Sequence, residues 1–465
     1  MKNETVTGSS KLGIMASYGL GKFNAEFLAQ AFGVVVFKYY ETEVQLAGWL
    51  TALALIIYSL YNAINDPLLG YFTEKTETRF TKRFGRRFPW IFIGALIWVF
   101  TFILIFFIPR PIQANQGLLF LWMVGSTCLF DTFYSLWDVN YQSIFPDKFR
   151  SETVRNKAAG IATGVGIVGI ALGFILPSII TIFGEPETYI TNSIIIAVVG
   201  FFVVFLLIPG VKESPEMIAR YYEDRKKVEY SFFSSLKNAF RFRNFIAWII
   251  LYFFYQSAVN SMTASVQYVG DYIIDGSTTI IFVGLLVGAL IGIPLWLTIR
   301  SRIQDKITNQ RLMMITALIM ALFALPMTSP LVNTSLLFTL FVFLFGLGFG
   351  GYWMMMTPAL ADVIDQIVIK TGVRNDGIFF GFRAFFGRLA FAVQAISFWL
   401  VHEFTEFNAE AGASQSELAI LGIHVHTALL PAIFLVIGVI IFWRINTLNA
   451  EIIQINKQTL KELNL

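Results

Sequence analysis

Charge is scarce in this chain, and cysteine and histidine are almost absent. Of 465 residues, 14% are Asp, Glu, Lys or Arg, against 56% hydrophobic residues and a mean hydropathy of +0.67. That is too little polar surface to wrap a soluble globule of this size, so the soluble class is excluded. The single cysteine, Cys128, excludes an internal disulfide. Three histidines are present, and His424 and His426, spaced i, i+2, do not share a face of an α-helix, so no metal centre is expected from them. With no nucleophile constellation, metal cluster or cofactor loop, the sequence argues against an enzyme and against an organic cofactor. Period-two alternation is missing from the apolar runs, which excludes a membrane β-barrel. The polar start MKNETVTGSS precedes an apolar run too long for a signal-peptide core and without a small-residue cleavage site, so no cleavage is expected.

What is present is apolar sequence in long pieces. Runs of about 20 residues or more, enough to cross ~30 Å of hydrocarbon, recur along nearly the whole chain. They fall at residues 12–38, 44–73, 89–109, 117–142, 157–183, 189–211, 244–272, 278–300, 311–328, 333–359, 377–402 and 420–444. The fold class is an all-α membrane protein of twelve spans. All but five of the 34 Lys and Arg lie at the N-terminus, the C-terminus or in loops on their side; the exceptions are Lys38 and Arg110 in loops of the other side and Lys22, Arg383 and Arg388 within spans. The positive-inside rule then puts both termini in the cytoplasm of a cell-membrane protein. The basic cluster KRFGRR (82–87) reads as a topology anchor near anionic headgroups, and no nucleic-acid partner is expected.

The one long charged segment divides the chain into residues 1–211, a first six-helix bundle; 212–243, a cytoplasmic linker; 244–446, a second bundle; and 447–465, a cytoplasmic tail. After the fourth span comes YQSIFPDKFRSETVRNKAAGI, and after the tenth TPALADVIDQIVIKTGVRNDGI; both place acids after the helix and then VRN before the next one. Pro67 and Pro294 fall late in the second span of each half. Parallel six-helix repeats of this kind point to a transporter with its binding site at mid-membrane between the halves.

A carboxylate at the centre of a span costs about 2.5–3.5 kcal/mol on insertion scales, so buried acids are the informative residues. Four lie well inside spans: Glu26, Asp66, Asp131 and Asp138. In the second span Ser59, Asn62 and Asp66 stack at i, i+3, i+7 with Asn65 beside them, an oxygen-rich, singly anionic face suited to Na+ or a proton. Pro67 removes a backbone donor and can leave the Ala63 carbonyl oxygen for ligation. In the fourth span Asp131, Tyr134 and Asp138 repeat the spacing with Ser135 adjacent, and acids beside an aromatic suit a sugar. Asp131, nearer the outer end, reads more readily as an interhelical hydrogen-bonding residue than as a functional one. The second half offers Arg383 and Arg388, and Gln256 and Asn260 one turn apart.

YGLGKFNAEF, NAINDPLLGY, RRFPWIFIGA, YSLWDVNYQSIFPD and ADVIDQIVIKTGVRNDG together resemble the glycoside–pentoside–hexuronide:cation symporters, the melibiose-permease-like branch of the major facilitator superfamily. The resemblance runs in order through both halves. It implies a major facilitator fold of two pseudo-symmetric bundles and sugar, glycoside or uronide symport with Na+ or H+. Residue by residue it implies a cation site at Asp66 and Ser135, with Asn62 standing where the family has a second acid and Asn65 as a further oxygen. For the substrate it implies Glu26, Asp138, Tyr134 and Trp353, with Arg388 where a lysine is usual and Gln142 where an aromatic is expected; Gln256 and Asn260 are added from their spacing. The helix 5 arginine of the family is replaced by Ala159, beside Lys157. A small-molecule, sugar-like substrate, the lipid bilayer and a monomeric state complete the expectation. The alternatives are a cation-coupled lysolipid carrier, which 48 Phe would suit, drug antiport on a partial glycine motif (Gly160, Gly169, Gly173, then Phe174), and a non-transporting receptor or scaffold.

Overall fold

The computed structural model describes residues 11–223, 240–274, 277–303, 307–371, 376–412 and 414–462. Among them twelve helices are long and apolar enough to cross a membrane. They are α1 (Leu12–Lys38), α2 (Gly48–Lys75), α3 (Phe88–Phe106), α4 (Gln116–Lys148), α5 (Glu152–Ile180), α6 (Pro186–Val211), α7 (Arg243–Tyr272), α8 (Thr278–Arg302), α9 (Asn309–Ala324), α10 (Ser335–Thr371), α11 (Asp376–Phe404) and α12 (Glu417–Ile445). No strand occurs among the described residues. Helices are the outcome because a lipid-facing backbone must satisfy its own N–H and C=O groups. The chain divides into two compact units, Met1–Glu229 and Tyr230–Leu465.

In the first unit α1 packs on α5 and α6, α4 on α2 and α3, and α3 on α6. In the second, α7 packs on α11 and α12, α10 on α8 and α9, and α9 on α12. Every one of these pairs recurs at an offset of six helices, so the two units share one packing scheme. Glycine makes the tightest contacts. A Cβ on Gly169 or Gly173 of α5 would strike the carbonyl oxygens of Phe23 and Phe27 on α1, and one on Gly346 of α10 would strike Leu285 O of α8 at 2.6 Å. Small residues are how membrane helices bring backbones together, and Gly169 and Gly173 are accounted for in this way; Gly160 and Gly164 face open space.

Two helix ends differ from the apolar pattern. α4 and α10 continue well past the hydrophobic runs, so Asp147, Asp362 and Asp365, expected after the helices, lie within them. A helix keeps its own hydrogen bonds in water as in lipid, so it need not stop where the hydrocarbon does. The VRN of the first half begins α5, whereas its counterpart at 373–375 lies outside the described residues. Lys38 is not in a loop either: α1 ends at Lys38, continues as a π-turn over Tyr39–Glu43, and leaves Lys38 buried against Tyr189 Oη (3.3 Å) and Glu43 (3.9 Å).

At the linker end of the first unit, Glu213 caps α3. Its Oε1 accepts from the backbone N–H of Arg87 (2.6 Å) and Phe88 (3.0 Å), and its Oε2 from that of Arg86 (3.0 Å). A carboxylate at a helix N-terminus meets both orphan donors and the positive end of the dipole. The basic cluster beside it is tied to acids: Arg86 to Glu74 (2.9 Å), Arg87 to Asp147 (3.1 Å) and to Ser143 O. Burial pushes the Arg87 guanidinium below its ordinary value, and the Asp147 carboxylate opposes the shift. The last described residues fold as a helix, Ala450–Glu462, docked on α10 with Ile453 and Leu460 buried.

Candidate functional site

The polar face of α2 turns toward α4. Asn65 Nδ2 donates to Asp131 Oδ2 (3.1 Å) and Asp131 O (3.4 Å), and Tyr61 Oη pairs with Thr132 Oγ1 (2.7 Å). Farther along, a Cβ on Gly70 would touch Val139 at 3.3 Å. From the Asn65–Asp131 bond to the Gly70–Val139 contact the positions rise on both helices, so α2 and α4 run parallel. That register puts Asp66 one residue past the Asn65–Asp131 bond on α2, and Ser135 one turn past it on α4. Asp131 is fully buried, and the contact gives it the interhelical role. Asn65 spends its amide hydrogens on Asp131, leaving only its oxygen for a cation.

Two oxygens in this region are conspicuous. Asn62 Oδ1 and Ser135 Oγ are buried, on residues 3% and 0% exposed, and neither has a hydrogen-bond partner among the described residues. Leaving such a group dry costs about 1–3 kcal/mol. Ser59, the third residue of the stripe, is satisfied by Leu55 O at 2.8 Å. One half-buried carboxylate with two unpaired neutral oxygens fits the donor set of a small hard cation or a protonated acid, oxygen only and singly charged.

The acids expected to meet substrate are each held by their own helix. Lys22 Nζ lies 2.6 Å from Glu26 Oε1, and Gln30 Nε2 is 3.4 Å from Glu26 Oε2. Asp138 Oδ2 accepts from Gln142 Nε2 at 2.7 Å, so the amide that replaces the expected aromatic works as a partner of the acid. Helices α1 and α4 are clamped together by Tyr18 and Tyr141, stacked at 4.4 Å between centroids. Tyr18 Oη donates to Tyr141 O (3.2 Å) and Tyr141 Oη to Tyr18 O (2.7 Å). Tyr18, Lys22 and Glu26 follow at i, i+4, i+8 on α1, and Tyr141 is one turn beyond Asp138 on α4, so the clamp relates the two acids. Tyr134 is half-buried against Trp98, 5.0 Å between centroids.

In the second unit Gln256 Nε2 donates to Asn260 Oδ1 (2.8 Å), so the pair bonds within α7 instead of across helices. Asn260 Nδ2 is buried with no partner among the described residues. Trp353 is half-buried on α10, 6.1 Å from the Phe349 ring, next to a tight Tyr255–Tyr352 stack (3.7 Å). Arg383 and Arg388 are half-buried on α11, with Arg383 Nη1 at 4.0 Å from Met356 Sδ. Residues 372–375 of the ADVIDQIVIKTGVRNDG motif lie outside the described residues; Asp362, before them, accepts from Asn309 Nδ2 (2.9 Å) and Gln310 Nε2 (3.3 Å).

Sequence reasoning missed the Tyr18–Tyr141 clamp, the buried Asn24, whose amide has no partner among the described residues, and the joining of His402 to His426. Tyr18 and Tyr141 are 123 positions apart, and no local pattern links them.

Residues 17–448 match a family model described as MFS/sugar transport protein. The mouse sodium-dependent lysophosphatidylcholine symporter 1 is 22% identical over 89% of this chain and 81% of its own length. A lactose permease of Leuconostoc lactis is 23% identical over 86% of this chain and 63% of its own length. Among solved structures, a bacterial homologue of the human lysosomal transporter Spinster, inward-facing and unoccupied, superposes with a TM-score of 0.63 at 11% identity, over 96% of this chain and 97% of that one. At that identity the likeness concerns the fold alone.

Proposed function

Because the chain belongs to the MFS/sugar transport protein family, we propose that it is a secondary active carrier that couples entry of Na+ or H+ at Asp66 to symport of a sugar-like solute. The observation that supports the cation step is the pair of unpaired buried oxygens, Asn62 Oδ1 on α2, which carries Asp66, and Ser135 Oγ on α4, which packs against α2. A bound cation relieves both oxygens and neutralises the carboxylate, so the loaded state is cheaper to enclose in a low-dielectric span. Protonation of Asp66 achieves the second effect without the first, so Na+ is the ion these oxygens favour.

The solute is proposed to meet Glu26, Asp138, Tyr134 and Gln142 in the first unit and Trp353, Arg388, Gln256 and Asn260 in the second. Glu26 and Asp138 already accept bonds from Lys22 and Gln142, so a hydroxyl-rich solute exchanges one set of donors for another and leaves neither acid dry. Coupling follows if the cation-loaded carrier binds solute better, with the same factor returned to the cation by linkage. The reading includes cytoplasmic termini, a cell-membrane location and a monomeric carrier.

A thermal-shift screen of the purified chain against sugars, uronic acids and lysophospholipids, with and without Na+ at two pH values, tests it. A sugar-dependent rise that grows with Na+ is expected, and Asp66→Asn should erase the Na+ dependence while a sugar response remains. Unchanged Na+ dependence in Asp66→Asn would remove that residue from coupling. A rise with lysophospholipids alone would select the second reading, favoured by the likeness to the mouse symporter.

A further inference from the structure

Buried polar side chains line the seam between α7 and α11 in the second unit. The two helices run parallel: a Cβ on Gly387 of α11 would strike Tyr252 Oη of α7 at 2.6 Å, and farther along both helices the Phe398 ring meets that of Tyr268 edge-on at 5.8 Å. Gln394 lies two turns past Gly387 and one turn before Phe398, on the same face of α11. It is 1% exposed. Near the middle of the interval from Tyr252 to Tyr268 stand Asn260 and Ser261, so the register sets Gln394 level with them. α12 meets α11 beyond that level, at a π-turn, Val425–Leu429, where the His426 ring is 4.4 Å from Phe398 and the preceding His424 turns away to Met327 O (2.8 Å).

At the level of Gln394 the polar atoms Gln394 Oε1, Gln394 Nε2, Asn260 Nδ2 and Ser261 Oγ are buried with no hydrogen-bond partner among the described residues. Asn260 Oδ1 is taken by Gln256 Nε2 (2.8 Å), which leaves the amide hydrogens of Asn260 to point elsewhere. Ser261 departs from the hydroxyls around it. Ser257, Thr263 and Ser265 each donate to a carbonyl oxygen one turn earlier on α7, at 2.9, 2.9 and 2.6 Å, and Ser261, fully buried, does not. The buried alanines nearby in sequence, Ala390 and Ala395 on α11 and Ala264 on α7, carry no side-chain group that competes.

The chemistry of the set selects its ligand. A cation would face the amide hydrogens of Gln394 and Asn260, and an anion would leave Gln394 Oε1 unmet, so an ion of either sign satisfies only part of it. A hydroxyl both donates and accepts, and so meets amide oxygen, amide hydrogen and serine together. We propose that Gln394, Asn260 and Ser261 form a hydroxyl-binding site in the α7–α11 seam, filled by a buried water or by a hydroxyl of the transported solute. A water held in a protein interior takes about two to four polar partners, and three side chains supply that number here. The solute source rests on the symport reading, in which Asn260 contacts solute; the water source does not. Either way the site lies wholly in the second unit, on helices other than the one that carries Asp66.

Gln394→Met keeps the length of the side chain and removes its polar end, and the sign of the effect decides. If the amide is dry, removing it should raise the unfolding midpoint of the purified chain; if it holds a hydroxyl, removing it should lower the midpoint or weaken solute binding. With water as the source, the midpoint should fall by about 2 °C in the absence of sugar. With solute as the source, the sugar-free midpoint should hold or rise while lactose, the probe, binds about tenfold more weakly. Ser261→Ala should act in the same direction, and the double variant should lose less than the sum of the two because they share one ligand. A Gln394→Met chain at least as stable as the wild type without sugar, and equal to it in lactose affinity, would overturn the site, as would strictly additive effects of the two changes. A wild-type chain that ignores lactose counts against the sugar reading, and the sugar-free midpoint then decides the site alone.

Discussion

The two units pack their helices by one scheme and fill it with different chemistry. Each of five packed pairs in the first, from α1 on α5 to α3 on α6, has a counterpart six helices later. Yet the first carries Glu26, Asp66, Asp131 and Asp138 in its spans, and the second carries arginines, amides and histidines at Arg383, Arg388, Gln256, Asn260, His402 and His426. Backbone approach is set by glycines and apolar bulk, and the polar positions are free to diverge once that approach is fixed. Function therefore belongs to the residues placed on the scheme and not to the scheme itself.

The largest effect should come from attacking the shared packing. Gly346→Leu forces a side chain into the α8 backbone and should cost about 3 kcal/mol or more, seen as loss of monodisperse protein in size-exclusion chromatography; Gly160→Leu, on the corresponding scheme but facing open space, should behave as wild type. Next comes the chemistry that only the first unit holds. Asp66→Asn should abolish cation-dependent thermal stabilisation, and Gln256→Ala in the second unit should leave it intact; equal losses in both would dissolve the distinction drawn between the units.

Smaller effects sharpen it. Asn65→Leu takes from Asp131 its amide donor on α2, a bond like that of Asn309 to Asp362 in the second unit, and should lower stability by about 2 kcal/mol, read from the unfolding midpoint. Tyr141→Phe keeps the stack on Tyr18 and loses one hydrogen bond, for about 1 kcal/mol by the same measurement.

The architecture was readable because lipid leaves the backbone few choices: apolar runs of sufficient length become helices, and all twelve did. Helix ends were less readable at α4 and α10, where the helix outlasts the hydrocarbon. Asp66, Asn62 and Ser135 stood out because polar atoms in an apolar run are expensive, and two of the three have oxygens that remain unpaired among the described residues. The partners of those residues were not readable. That Asn65 serves Asp131, that Gln142 serves Asp138 and that Lys22 serves Glu26 depends on rotamers and on which helices meet, and single-helix spacing only offers candidates. His424 and His426 diverge as their spacing requires; what spacing could not supply was His402, from another helix.

The wide turn at Val425–Leu429 has a further implication for α12. A loop wound with i to i+5 bonds accommodates one residue more than an evenly coiled stretch, so the parts of this helix before and after it stay in phase despite the added residue. Removing a single amino acid from 425–429 would let the coil close up to an ordinary α-turn while Glu417–His424 and Leu430–Ile445 keep nearly their present facing, whereas the same deletion in an evenly wound stretch would swing one side by about 100°. The widened turn is thus a place where α12 can lose a residue and still present the same faces to its neighbours.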